Sequence, residues 1–194
     1  LPADFYKRFW TILGQDFVEV VNYCFRFGQL SPSQRSGVIT LLHKKGDCLD
    51  MKNWRPITLL CVDYKIAAKA LANRLLMVLP SVIHTDQTCG VPGRNPSESC
   101  RLLQDVVLDA NQRNIGGAVL SLDQEKAFDR VEWSYLQRVL RRMNFGELFC
   151  QWVSLLYCDI FSSILINGDL FQQFRVTRGV CQGWPLSPLL YVIM

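Results

Sequence analysis

No stretch of this sequence is both long and free of charge. Its apolar runs are broken by charged residues, glycine or proline, and a membrane-spanning helix needs about 20 consecutive apolar residues, so none is expected. The N-terminus lacks a basic stretch followed by an apolar one, so no signal peptide is expected in it. Histidine is scarce: His43 and His84 stand far apart, and the eight cysteines contain no C-x-x-C pair, so a zinc site is not expected. The thiols are expected to be free, packed as small hydrophobes in a reducing compartment. Internal repeats and low-complexity segments are absent. Initiator methionine is missing too: the chain opens on Leu1 and ends on the apolar run "PLLYVIM" without a helix stop signal, so an internal piece of a longer protein is expected.

What is present is apolar and aromatic. With 49% apolar and 11% aromatic residues the 194-residue chain has enough to bury a core, which excludes a disordered chain. The net charge of +4 is unevenly spread. Between positions 35 and 74 eight basic residues (Arg35, Lys44, Lys45, Lys52, Arg55, Lys65, Lys69, Arg74) face three acidic ones, Asp47, Asp50 and Asp63. Such a segment suits phosphates, although on charge alone a solvated face is the simpler reading.

Apolar residues at helical spacing from Phe5 to Cys24 predict a first helix, with Asp4 as its cap and Gly28 at its C′ position. "GVITLL" and "PITLLCV" predict two strands around the turn "HKKGD", with Pro56 at a strand start where no ladder donor is missed. "DYKIAAKALANRLLMVL" predicts an amphipathic helix stopped by Pro80. A Gly/Pro-rich loop follows, then a helix that Ser97 is expected to cap. "GAVLSL" predicts a buried strand, "VEWSYLQRVLRRM" and "LFCQWVSLLY" two helices, and "FSSILINGDLFQQFRV" a hairpin turning at Asn167-Gly168. "TRGVCQGWPLSP" predicts a loop before a final helix. The expected class is α+β, helices packed on a largely antiparallel sheet.

The apolar run from Ala118 to Leu122 stops at a carboxylate, Asp123, and a helix-like pattern with Phe128 follows. Two readings stand open. Asp caps helices well, but the N3 position holds Lys126 rather than Glu or Gln, so the capping box is incomplete. Alternatively, a carboxylate held at a strand end suits Mg²⁺, and Mg²⁺ suits phosphates.

Several segments together carry a family resemblance. "SLDQEKAFDRVEW" resembles motif A of the reverse transcriptases of LINE-type, TX1-like non-LTR retrotransposons, in which four residues separate an aspartate from an aromatic residue. "TRGVCQGWPLSPLLY" resembles motif B of that family, "LLHKKGD" with "NWRPITLLCVDYKIAAKALANRL" its fingers motifs, and "VIHTDQTCGVPGR" the segment between fingers and palm. "LPADFYKRFW" resembles the segment just upstream of the fingers. The resemblance covers essentially the whole chain in the family's order.

It implies a partial right-hand polymerase fold, with the upstream segment and fingers over about 1–115 and an incomplete palm over about 116–194, a single partial domain truncated at both ends. The implied reaction is RNA-directed DNA synthesis from an RNA template, a DNA primer and deoxynucleoside triphosphates, with Mg²⁺ as cofactor. Asp123 is implied as a catalytic, metal-binding residue, and the Gln124 carbonyl as a further metal contact. Arg55 and Lys65 are implied to reach the triphosphate, with Lys44 and Lys45 as lesser candidates, and Phe128 to exclude a 2′-OH; core packing is the plainer role for such a Phe. Gln182 and Gly183 would border the nucleotide pocket, while Arg94, Pro185 and Ser187 would face the template, Ser187 also capping the last helix.

Two positions depart from the family: Trp184 stands where Cys or a small residue is frequent, and Cys181 where Arg is. They read as lineage variation or as drift. The family's Asp-Asp motif C is absent, since no two aspartates are adjacent in this sequence. One carboxylate cannot form a two-metal clamp, so the chain is expected to be inactive alone. The alternatives are a non-catalytic nucleic-acid-binding module and an inert relic. An intracellular location, in cytoplasm and nucleus, is expected from the family.

Overall fold

The structure, a computed structural model, describes residues 1–181 and 183–194. The described residues form helices and one sheet of strand order β2 (Trp54–Leu59)-β1 (Ser36–His43)-β3 (Phe161–Ile166)-β4 (Asp169–Leu170), with β5 (Phe174–Arg175) also paired to β3. β1 (Ser36–His43) and β2 (Trp54–Leu59) form an antiparallel hairpin in which Leu42 lies opposite Arg55 and Leu41 opposite Pro56. Pro56 is therefore the third residue of its strand, not the first. The Lys44 N–H donates to the Asn53 carbonyl at 2.8 Å. Alternation along an antiparallel ladder then turns the Pro56 nitrogen away from β1, toward the open sheet edge, where no donor is missed.

β3 (Phe161–Ile166) runs parallel to β1, with Ser36 opposite Phe161, so the largely antiparallel sheet contains one parallel pair. Asn167 (φ 53°) and Gly168 (φ 93°) turn the chain into β4 (Asp169–Leu170), and β5 (Phe174–Arg175) returns to β3. The hairpin follows its sequence signal because only Gly and Asn tolerate that turn readily.

α1 (Ala3–Phe27) starts from Pro2, not Asp4; Asp4 lies in the first turn, where it meets the positive end of the helix and Lys7 at 3.7 Å. Gly28, at φ 80°, closes it by donating to the Cys24 carbonyl at 2.9 Å. Most of its apolar stripe is exposed or half-buried; Cys24 is buried and Phe25 stacks on Trp152. α2 (Val62–Val82) is the central helix. Tyr64, Ala68, Leu71, Ala72, Leu75 and Leu79 recur at helical spacing and all are buried. Pro80 does not stop it. In the last turn a proline removes a single helical hydrogen bond, and the chain continues helical to Val82.

α3 (Pro96–Gln112) is capped by Asn95, whose side chain accepts from the Ser97 N–H at 3.0 Å, with Pro96 at N1; Ser97 is not the cap. None of its residues is buried. The expected strand at 117–122 does not form. Val119 is 64% exposed and Leu122 83%, and the segment joins none of the strands. Strand propensity needs a paired neighbour, because backbone donors and acceptors gain nothing over water until a ladder takes them.

α4 (Trp133–Arg142), α5 (Glu147–Leu156) and α6 (Ser187–Ile193) complete the core with buried Leu136, Leu140, Val153, Leu156 and Leu190. The molecule is a mixed α+β structure, and its sheet takes strands from both halves of the chain.

Candidate functional site

The β1–β2 hairpin delivers Lys44, Arg55 and Ile57 to one wall of a cavity of about 420 Å³. Phe128, Cys181, Gly183 and Ser187 line it as well. Neither cation has an ion-pair partner among the described residues. Two unpaired cations beside a half-buried ring make a site for an anion attached to a planar or apolar body.

Phe128 sits in a 3₁₀ turn, Ala127–Arg130, entered through Lys126 at a left-handed φ of 50°. The motif-B loop fastens this turn. The Val180 N–H donates to the Phe128 carbonyl at 2.8 Å, the Gly179 N–H to the Val131 carbonyl at 2.7 Å, and the Trp133 indole to the Gly179 carbonyl at 2.8 Å. Gly179, at φ 94°, has to be glycine: a Cβ there would lie 3.3 Å from the backbone of Asp129. On the far side of Phe128 the Tyr191 ring stacks at 5.0 Å and 15°, and the Tyr191 hydroxyl donates to Gln124 Oε1 at 2.7 Å.

The structure thus brings Arg55, Phe128, Gly183 and Ser187 together around one cavity, with Lys44 added. Lys65, in the first turn of α2, does not line it. Pro185 is half-buried; Ser187 is buried as the first residue of α6, and its side chain does not cap the helix, whose cap residue is Leu186. Gln182 lies outside the described residues. Arg94 is occupied elsewhere. Its guanidinium donates to the Pro80, Ile83, His84 and Gln87 carbonyls at 2.5–3.0 Å, closing the end of α2. A guanidinium so committed has little left for a template phosphate.

Asp123 is exposed and stands at the tip of no strand. It does not cap the following turn either, because the cap position falls on Lys126. Among the described residues no group of three or more His, Cys, Asp or Glu side chains is placed to hold a metal ion. A lone exposed carboxylate does not fit the two-ion Mg²⁺ site that the resemblance implies.

Trp184 and Cys181, the two departures, have defined environments. Trp184 is buried, stacked on Tyr64 at 5.3 Å and edge-on to Tyr157 at 5.2 Å. Burial first, and the Asp129 carboxylate second, push the Cys181 thiol up to about 11 from its ordinary 9.0, so it stays protonated and unreactive near neutral pH. Two residues escaped the sequence reading. Tyr191 lay within a quoted motif but carried no signal of its own. Asp159 (φ 52°) binds Arg35, Arg175 at 3.3 Å and Gln29 at 3.3 Å, partners too distant in sequence to be foreseen.

The family model for reverse transcriptase (RNA-dependent DNA polymerase) matches residues 42–194. The chain is 44% identical over 191 residues to the "Transposon TX1 uncharacterized 149 kDa protein" of Xenopus laevis, covering 98% of this chain and 15% of that protein. It is 30% identical over 153 residues to a "Retrovirus-related Pol polyprotein from type-1 retrotransposable element R2" of Popillia japonica, covering 78% and 21%. A protein of the same description from Nasonia vitripennis is 25% identical over 182 residues, covering 94% and 18%. The chain therefore spans about a fifth or less of these curated relatives. Because the family model matches well over half of the chain, in a sequence whose motif-A and motif-B segments meet at one cavity, the chain belongs to the reverse transcriptase (RNA-dependent DNA polymerase) family.

Proposed function

We propose that this chain is the fingers and part of the palm of an RNA-directed DNA polymerase of a LINE-type retrotransposon, and that the cavity between hairpin and motif B holds the incoming deoxynucleoside triphosphate. The observation that carries this is the meeting of Lys44 and Arg55 with Phe128 and Gly183 around about 420 Å³. The two cations take the phosphates, Arg55 by a forked contact and Lys44 as a point charge. Phe128 walls the sugar side, and its bulk opposes a 2′-OH. Gly183, at φ 93°, lets the backbone approach the base. RNA template and DNA primer are the proposed macromolecular partners, and 1–115 and 116–194 the proposed fingers and partial palm.

Asp123 is proposed as one metal-binding carboxylate of the complete enzyme, with the Gln124 carbonyl beside it. Among the described residues no cluster of side chains makes a Mg²⁺ site, so the function proposed for the chain itself is nucleotide binding. The test is equilibrium binding of a labelled deoxynucleoside triphosphate to the chain and to its Arg55→Ala variant. Loss of the forked contact is expected to weaken binding about tenfold or more, the scale of one charge-assisted hydrogen-bond pair. Equal affinities would remove Arg55, and with it the cavity, from the nucleotide site.

A further inference from the structure

Phe128 occupies a place that its own chain secures poorly. The backbone before it, residues 115–124, lies in no helix or strand, and Lys126 adds a left-handed conformation that a non-glycine residue adopts only at a cost. Hydrogen bonds from the 179–180 loop fix the turn's main chain but leave the direction of the ring open. The ring's face is covered by Tyr191, nearly parallel at 15° and 5.0 Å. Phe128 lines the smaller cavity, whereas Tyr191 lines the neighbouring one, of about 660 Å³, so Tyr191 stands behind the ring. Tyr191 is itself held twice: its backbone belongs to α6, and its hydroxyl donates to Gln124 Oε1 at 2.7 Å. Gln124 lies four residues before Phe128, so the bond ties the loose segment and the ring to the same helix.

We propose that Tyr191 is a positioning residue for sugar discrimination, a brace that keeps the Phe128 ring against the nucleotide cavity so that a ribose 2′-OH meets a fixed wall. The proposal rests on the nucleotide reading of the cavity. A ring free to swing away yields to an extra hydroxyl; a braced ring does not. Tyr191 touches no substrate in this scheme, and its effect passes through Phe128.

The experiment measures dissociation constants of dGTP and GTP for the chain, for Tyr191→Leu, which removes the stack, and for Tyr191→Phe, which keeps the stack and drops the hydroxyl. Circular dichroism and thermal melts report folding alongside. The expected result is a wild-type preference for dGTP. Tyr191→Leu is expected to shrink it about tenfold, the scale of one altered contact in a pocket, by gaining GTP affinity while dGTP affinity holds within about twofold. Tyr191→Phe is expected to fall between. A parallel loss of both affinities, or an unchanged ratio, would make Tyr191 a mere core residue and overturn the proposal while leaving the cavity reading intact. If the wild-type chain binds neither nucleotide, the cavity reading fails first and the brace with it. Should Tyr191→Leu not fold, Tyr191→Phe decides: a ratio lowered about two- to threefold supports the brace, and an unchanged one overturns it.

Discussion

Trp184 stands where the family favours small residues, and the structure surrounds it with Tyr64, Tyr157, and the core helices. A large ring so placed is a packing element. Trp184→Ala is expected to destabilise the fold by about 3–5 kcal/mol, read as a lowered urea midpoint at an unchanged m-value. A loss under about 1 kcal/mol would mean that the core is loose around it. The neighbouring Cys181 makes a different statement. Its thiol keeps its proton longer in the folded chain than in the unfolded one, because burial and the Asp129 charge oppose the thiolate. The folded state thus binds more protons between about pH 9 and 11. Its contribution is fully present below about pH 9 and is lost as pH rises through about 11. Urea midpoints across this window should fall more steeply for wild type than for Cys181→Ala. Cys61 and Cys150, also raised by burial, stay in both proteins and cancel in the comparison. Parallel slopes would show that the Cys181 thiol titrates normally.

At the scale of elements, α2 and its end show how a loop residue finishes a helix. Carbonyls near Pro80 lack helical partners, and Arg94, across the Gly90–Gly93 turns, supplies four guanidinium bonds to them and to the following loop. Arg94→Ala is expected to cost about 1–3 kcal/mol and to speed hydrogen exchange at Ile83 and Gln87, whose amides bond within this turn region. Arg94→Lys should rescue little, because one ammonium cannot span four carbonyls. Exchange rates equal to wild type would return the guanidinium to solvent and to the template role. The helices and hairpins of this chain were legible because their signals are local: an apolar period, a proline at N1, Asn-Gly at a turn. Ser97 as a cap failed by two residues, since Asn95 with Pro96 behind it offers the better geometry.

Across the whole molecule the basic segment 35–74 separates into parts. Arg35 is taken by Asp159 beneath the sheet's start, Arg74 lies along Leu71 beside an apolar groove reaching Trp152, and Lys44 and Arg55 remain for the cavity. Charge counted along a sequence therefore overstated the patch; folding gave Arg35, Arg74 and the Lys44–Arg55 pair separate surroundings. The sheet likewise disregards the division near residue 115, because β1 from one half pairs with β3 from the other. What the sequence determined by itself was the family, the α+β class, most of the elements, and Arg55, Phe128 and Gly183 as candidates, since motif order and local periodicity are written in consecutive residues. The tertiary structure alone decided that residues 117–122 form no strand, that Asp123 is exposed, that Arg94 caps a helix, and that Tyr191 stands behind Phe128. Each of these depends on which distant backbone or ring arrives as a partner, and such partners are set by three-dimensional packing rather than by neighbours along the chain.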